Sequence, residues 1–230
     1  MRLLAIESST DVLSVACGDG GTFAVREERA GPAHAERVLP RIHELLAHAG
    51  WTLAMLDAIA FGAGPGAFTG VRIACGVAQG LALGADRPLV PVGTLDALAQ
   101  EAWRVHGAVR VHACLDARMR EVYVADLQRE GEARWRALDG PDVRKPADLA
   151  PPAVGAFGAG DGYAAYPGLG SALGPGRVDA SLRPTARAVA ELAVPQVDAG
   201  RLLAPSAAHP IYVRHRVALT AAERAAGASL

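Results

Sequence analysis

The sequence contains the same order of predicted elements twice: three strands, then helix, strand, helix, strand and helix. In the first copy, short β-type segments predict strands at 2–8, 13–19, 21–28, 56–64 and 88–94, and apolar periodicity predicts helices at 35–49, 71–84 and 94–105. In the second copy, strands are predicted at 109–116, 121–128, 133–139, 153–160 and 176–181, and helical segments near 146–150, 161–166 and 185–197. Three closely linked strands form an antiparallel meander, and the later strands need crossover helices. We therefore predict two mixed α/β lobes, 1–106 and 107–230, each with a five-stranded sheet.

This element order matches the actin-like ATPase (ASKHA) fold, which consists of two ribonuclease-H-like lobes. The match concerns the fold only, because one fold serves many functions.

Composition narrows the classes of protein that this chain can belong to. With 51% hydrophobic and 20% charged residues, the 230-residue chain has the composition of an ordinary globular protein. A net charge of −1 argues against a protein that binds nucleic acid alone, so any RNA is expected to be held by a partner. The three scattered cysteines favour a reducing compartment. Because we recognise neither a signal peptide nor an apolar run of about 20 residues, we expect a cytoplasmic protein without a membrane segment.

Two helices in the first half carry extended apolar surface. In 35–49, Val38, Ile42 and Leu45 lie on one face, and Pro40 is expected to kink the helix or mark its effective start. Helix 71–84 is apolar nearly all round, and its apolar residues include Val71, Ile73, Val77 and Leu81. Gly76 and Gly80 would let a second helix approach closely. Such helices either cover their own sheet or are partly buried by another chain, and periodicity alone does not decide between these alternatives.

The segment "GAGPGAFTG" (62–70) connects a predicted strand to helix 71–84. Backbone N–H groups at a helix start can hold an anion. The segment, however, lacks both the P-loop spacing with its lysine and the dinucleotide-binding spacing. Glycines at this density favour close backbone approach over phosphate binding.

Two carboxylates end the first strand of each predicted lobe: Glu7 in "AIESST" and Asp116 in "CLDARM". They are candidates for facing a cofactor cleft as acid, base or Mg²⁺ ligand. The alternative is that they stabilise the turns after their strands, with Ser8 and Ser9 assisting. Neither interpretation defines a cofactor-binding site, and we predict no cofactor.

The histidines do not indicate a metal site. His34 heads the segment "HAERV", but Val38 occupies the position where a second histidine at i+4 would complete a metal-binding pair. No nucleophile has a recognisable base partner. We therefore predict no metal and no catalytic residue, and expect His34 to cap its helix or to lie at an interface.

Six segments together resemble the bacterial TsaB (YeaZ) family, whose members take part in making N6-threonylcarbamoyladenosine at position 37 of tRNA. They are "LLAIESST", "HAERVLPRIHELL", "LDAIAFGAGPGAFTGVRIACGVAQGLAL", "PLVPVGTLDALA", "LDARMREVYVA" and "PIYVR". The resemblance is strong over 2–128 and looser over 129–205. Many relatives have Asp where this chain has Glu7, which weakens any nucleotide-site assignment for that residue.

The resemblance implies an accessory subunit and not an enzyme. It implies a heterodimer with the catalytic subunit TsaD, recruitment of the ATPase TsaE, a homodimer when alone, and contact with tRNA only through the complex. The interface would use the helices at 34–49 and 69–84, with the following candidate residues: His34, Val38, Ile42, Leu45, Phe68, Val71, Ile73, Val77 and Leu81. The alternative function is a small ATP-binding or ATP-hydrolysing enzyme of the sugar-kinase-like fold that uses Glu7 and Asp116. An endopeptidase is disfavoured because no nucleophile is paired with a base.

Overall fold

The structure, a computed structural model, describes residues 1–214. Its strands are β1 (Arg2–Glu7), β2 (Val12–Asp19), β3 (Thr22–Arg29), β4 (Ala58–Gly64), β5 (Leu89–Gly93), β6 (Arg110–Arg118), β7 (Glu121–Arg129), β8 (Trp135–Arg144), β9 (Phe157–Ala159) and β10 (Val178–Asp179). Its helices are α1 (His34–Ala49), α2 (Phe68–Ala85), α3 (Thr94–His106), α4 (Gly162–Ala165) and α5 (Ala186–Asp198). Short 3₁₀ turns complete the structure.

The strands form two five-stranded sheets of the same topology, β3-β2-β1-β4-β5 and β10-β9-β6-β7-β8. In each sheet the first three strands of the copy pair antiparallel, and the last two are added in parallel. Asp19 pairs with Thr22, so Gly20 and Gly21 form a hairpin turn. The predicted pair of mixed five-stranded sheets is thus confirmed.

Helices cover both faces of the first sheet, because its strands alternate two sets of apolar residues. Leu4 and Ile6 face α1 and α2, whereas Leu3 and Ala5 face α5. Pro40 lies inside α1, which begins at His34, so Pro40 does not mark the start of the helix. One side of α2 is buried in the core and includes Ala74 and Ala78.

Helix α5 connects the two halves of the molecule. It follows the strands of the second sheet in the chain, yet it packs against β1, β2, β4 and β5 of the first sheet and against α3. Helix α3, in turn, packs against β6 of the second sheet. The division of the chain into lobes at residues 106 and 107 stays a prediction, and the part of the predicted second lobe beyond residue 214 lies outside the described residues.

The structure can be compared with two further expectations, which concern the cysteines and a membrane-spanning segment. The cysteines Cys17, Cys75 and Cys114 are all buried and free. Thr94 is the first residue of α3, and its hydroxyl accepts a hydrogen bond from the Gly64 N–H at 3.0 Å. Helix α2 is long and apolar enough to cross a membrane, but core helices pass the same test, and one side of α2 is buried in the core.

Candidate functional site

A cleft of about 800 Å³ lies between the two sheets, and we call it the interlobe cleft. It is lined mainly by residues 9–11, 65–68, 115–119 and 211–214, together with Asp161 and Arg183. The end of β1, the start of α2 and the β6–β7 hairpin therefore meet at one place. Segment 211–214 crosses one side of the cleft. The Ile211 N–H donates to the Ala63 carbonyl at 2.7 Å, and the Arg214 guanidinium donates to the Ala117 carbonyl at 3.1 Å.

Glycines of the 62–70 loop allow the chain after β1 to lie directly against the start of α2. A Cβ on Gly70 would be 1.9 Å from the Ser8 carbonyl oxygen, and one on Gly66 would be 2.6 Å from Ser9 Cβ. The Ala67 N–H donates to the Ser9 carbonyl at 2.7 Å. The interpretation of this loop as a close backbone approach is confirmed.

Glu7 lies beneath the interlobe cleft and does not line it. The side chain is fully buried, and Oε2 would be 1.8 Å from a Cβ on Gly62. Oε1 accepts a hydrogen bond from the Ser9 N–H at 2.6 Å, while Oε2 has no partner among residues 1–214. Because burial disfavours the charged form, the pKa of Glu7 is raised to about 7. As a cofactor candidate, Glu7 would need the floor of the cleft to open before it could reach a ligand.

Asp116 lines the interlobe cleft. This position is the one that a cofactor-binding carboxylate would need. Its Oδ1 accepts from the Arg118 N–H at 2.9 Å, and its Oδ2 lies 3.0 Å from Arg118 Nη1. The first of these contacts also stabilises the turn after the strand, so Asp116 combines both readings. Its role in holding a cofactor stays a prediction.

Three charged residues of the cleft floor were not identified from the sequence: Asp11, Asp161 and Arg183. Arg183 Nε lies 2.9 Å from Asp11 Oδ1 and 3.6 Å from Asp161 Oδ2, and it therefore links the two lobes. Burial raises the pKa of Asp161, and the N–H of Asp116 and the charge of Arg183 oppose this shift. Burial would also raise the pKa of Asp11, but the hydrogen bond from Arg183 holds it below its usual value.

The rim of the interlobe cleft combines aromatic and basic side chains. Phe68 and Tyr212 are each 52% exposed. Arg72 lies between them, with its guanidinium carbon 3.7 Å from the centroid of the Phe68 ring and its Nε donating to Tyr212 Oη at 2.8 Å. Tyr212 belongs to the late segment "PIYVR", which was the only sequence signal for this part of the rim.

The predicted interface residues fall into two groups. His34, Val38, Ile42, Leu45 and Val71 are buried within the chain. A side chain that its own chain covers is not available for contact with a second chain, so any contact on α1 and α2 must use other positions. Phe68 is exposed, and Ile73, Val77 and Leu81 are only partly covered by the core.

Two mixed sheets of one repeated topology, with a cleft between them, define the class of protein: an α/β protein of the actin-like ATPase fold. The family model described as "TsaD: tRNA N6-adenosine threonylcarbamoyltransferase" matches residues 24–173. The tRNA threonylcarbamoyladenosine biosynthesis protein TsaB of Escherichia coli K12 is 40% identical over 223 residues, which are 95% of this chain and 96% of the relative.

Solved structures agree with the sequence relatives. YeaZ from Pseudomonas aeruginosa is 42% identical, with a TM-score of 0.84, over 92% of this chain and 99% of that one. A Pseudomonas aeruginosa protein described by its similarity to the peptidase YeaZ is also 42% identical, with a TM-score of 0.86, over 93% of this chain and 99% of that one. The chain belongs to the TsaB (YeaZ) family.

Proposed function

We propose that this chain is a non-catalytic subunit that pairs with a TsaD-type catalytic subunit through the outer face of α2. In that complex it supports threonylcarbamoyl transfer to adenosine 37 of tRNA. The relatives that carry TsaB in their names are described as tRNA threonylcarbamoyladenosine biosynthesis proteins, which supports this pathway.

The observation that carries the proposal is the outer face of α2. Gly76, Gly80 and Gly84 follow one another at every fourth position, and a Cβ on any of them would meet nothing within 4 Å. One stripe of the helix is thus free of side chains and is not covered by residues 1–214. Two partly covered apolar residues, Val77 and Leu81, flank it. A second helix can approach such a stripe closely and bury the apolar side chains beside it.

Leu83 extends this surface, since it follows Gly80 by three residues on α2 and is 76% exposed. On α1, Leu39 is 51% exposed. Exposed apolar residues beside an uncovered helix face are typical of interaction sites. The same surface would serve for a homodimer when the catalytic subunit is absent.

Two observations support a non-catalytic role. His34 begins α1, but the residue one turn later is Val38, which is buried in the core. His34 therefore lacks the second histidine at i+4 that a metal-binding pair would need. Glu7 is buried outside the lining of the interlobe cleft, which disfavours the alternative of a small ATP-hydrolysing enzyme that uses Glu7 and Asp116. We further propose a TsaE-type ATPase as a second partner, contact with tRNA through the complex, and a cytoplasmic location.

Substitution of the α2 face tests the proposal. Val77→Glu or Leu81→Arg places a charge where the partner helix would pack, and we expect either variant to lose binding to the TsaD-type subunit of the same organism in titration calorimetry. Leu83→Arg, at a more exposed position, should weaken binding without affecting folding. Val154→Glu is the matched control, because Val154 is 96% exposed and lies in the second half of the chain.

Circular dichroism melts identify variants that fail to fold. Wild-type affinity in a folded Val77→Glu, Leu81→Arg or Leu83→Arg variant would contradict the assignment of the interface to α2. Nucleotide hydrolysis by the isolated chain, lost in Glu7→Ala and Asp116→Ala, would favour the alternative of an enzyme.

A further inference from the structure

The rim of the interlobe cleft has the chemistry of a stacking surface. The Phe68 and Tyr212 rings lie 6.3 Å apart and are tilted by 35°. Arg72 stacks on the Phe68 ring at 3.7 Å, and its Nε is held by the Tyr212 hydroxyl. Two half-exposed rings and the guanidinium between them form one continuous aromatic and cationic surface, which we call the platform.

Positive charge surrounds this platform. Arg118 lines the cleft, and Arg120 lies two residues further along the β6–β7 turn; both are exposed. Within the part of the chain that the structure describes, neither Arg72 nor Arg120 has a carboxylate within 4.0 Å. Arg118 pairs with Asp116, yet its side chain is 88% exposed. These three guanidinium groups therefore remain able to bind an anion.

The turn that carries these arginines has an unusual backbone. Arg118, Met119 and Arg120 have φ values of 61°, 52° and 61°. Left-handed conformations are unfavourable for residues with a Cβ, and three in succession at one turn mark a position where function can outweigh local stability. The same turn leaves Met119 56% exposed at the lip of the cleft.

We propose that the rim of the interlobe cleft binds a single-stranded loop of RNA, with an unstacked base against Tyr212 and the backbone phosphates on Arg72, Arg118 and Arg120. Aromatic and guanidinium planes beside free cations are the groups that bind single-stranded RNA. The proposal rests on the proposed function and departs from the expectation that a partner alone holds the RNA, since it gives this chain its own share in holding the tRNA within the complex.

The distribution of unpaired cations favours an RNA strand over a free nucleoside triphosphate. Asp11, Asp116 and Asp161 line the cleft and can accept hydrogen bonds from base amino groups or ribose hydroxyls, whereas the lining arginines Arg183 and Arg214 are already paired with carboxylates. The more exposed guanidinium groups lie at the rim, where they would meet the backbone phosphates of a loop when one base enters the cleft. An acidic peptide would use the arginines but has no need of the stacking platform.

Fluorescence anisotropy with a labelled anticodon stem–loop RNA at low ionic strength tests this site on the isolated full chain. We expect Tyr212→Ala to weaken binding roughly tenfold through the loss of one stacked base. Arg120→Glu should weaken binding severalfold and lower the slope of log affinity against log salt by about one. Arg201→Glu is the matched control, because Arg201 is also exposed but lies neither in the β6–β7 turn nor in the lining of the interlobe cleft.

Competitors identify the ligand class. A fully paired RNA, ATP and an acidic peptide should each compete poorly with the stem–loop. Absence of stem–loop binding, wild-type binding by Tyr212→Ala, or displacement by ATP or by the peptide at equal concentration would overturn the proposal.

Failure of this proposal can be separated from failure of the proposed function. Tyr212→Ala should retain pairing with the TsaD-type subunit and raise the KM for tRNA in the reconstituted complex with little change in kcat. Leu81→Arg should lose pairing while the isolated chain retains stem–loop binding. Loss of pairing in Tyr212→Ala, or loss of stem–loop binding in a folded Leu81→Arg variant, would mean that the two surfaces are not distinct and would overturn the assignment of RNA to the rim.

Discussion

Glu7 ends the first strand of one sheet and Asp116 lies near the end of the first strand of the other, which has the same topology, yet their surroundings differ. Glu7 is fully buried beside Gly62, and one of its oxygens has no partner within residues 1–214. Asp116 faces the interlobe cleft and contacts Arg118. A repeated fold therefore does not repeat a site, because the neighbouring residues decide whether a carboxylate meets solvent, a cation or a close-packed backbone.

The largest effect on the free energy of unfolding is expected at Gly70, where the start of α2 packs directly against the chain after β1. In Gly70→Ala the new Cβ would lie 1.9 Å from the Ser8 carbonyl oxygen, so the backbone must move. We expect a loss of about 3 kcal/mol or more in the free energy of unfolding, measured by urea denaturation. Gly80→Ala on the same helix is the control, because its Cβ would meet nothing within 4 Å, and it should gain about 0.5–1 kcal/mol. Equal effects of the two substitutions would disprove the close approach at Gly70.

The second-largest effect is expected from substitution of Glu7, because its buried carboxylate makes the stability of the protein depend on pH. The folded-state pKa of Glu7, about 7, lies above the usual value of 4.5 for a glutamate, so its stabilising contribution is complete below pH 4.5 and is lost as the pH rises towards 7. A difference of this size corresponds to about 3 kcal/mol. Glu7→Gln should therefore be more stable than the wild type at pH 8 by up to this amount, and nearly equal to it at pH 5.

Urea midpoints of both proteins between pH 5 and pH 8 check this prediction. A wild-type protein whose stability does not decrease over this range, relative to Glu7→Gln, would show that the carboxylate is solvated in the folded state.

The smallest effect on stability is expected for substitution of Asp116, which occupies a position in the second sheet similar to that of Glu7 in the first. Asp116→Asn removes an ion pair whose arginine is 88% exposed, and such pairs contribute about 0–1 kcal/mol. Thermal unfolding of Asp116→Asn should thus shift by only a few degrees. A loss as large as that in Gly70→Ala would mean that Asp116 has a structural role like that of the residues around Glu7.

The sequence was sufficient to predict the fold because the periodicity of its segments follows backbone geometry. Alternation in β1 separates Leu4 and Ile6 from Leu3 and Ala5, and the structure places helices on both sides. The glycines at 66 and 70 indicated close approach, and the structure shows which backbone atoms approach them.

The candidate site was only partly predictable, because it depends on contacts between residues far apart in the chain. Arg183 joins Asp11 and Asp161, and no local pattern links these residues. Similarly, Val38 and Ile42 follow helical spacing, but spacing does not show whether the covered face meets its own sheet or another chain. Burial resolves this question for those two residues, both of which lie in the core.

The position of α5 affects the order in which this protein can fold on the ribosome. Leu3, Ala5 and Val90 lie within the first 90 residues of the chain, but they are covered by a helix that ends at Asp198. Until that helix has left the exit tunnel, one face of the first sheet is exposed to water and to other chains. Folding of the N-terminal half therefore depends on late synthesis of the C-terminal half, and a nascent chain that stalls between them presents an apolar sheet face that chaperones can bind.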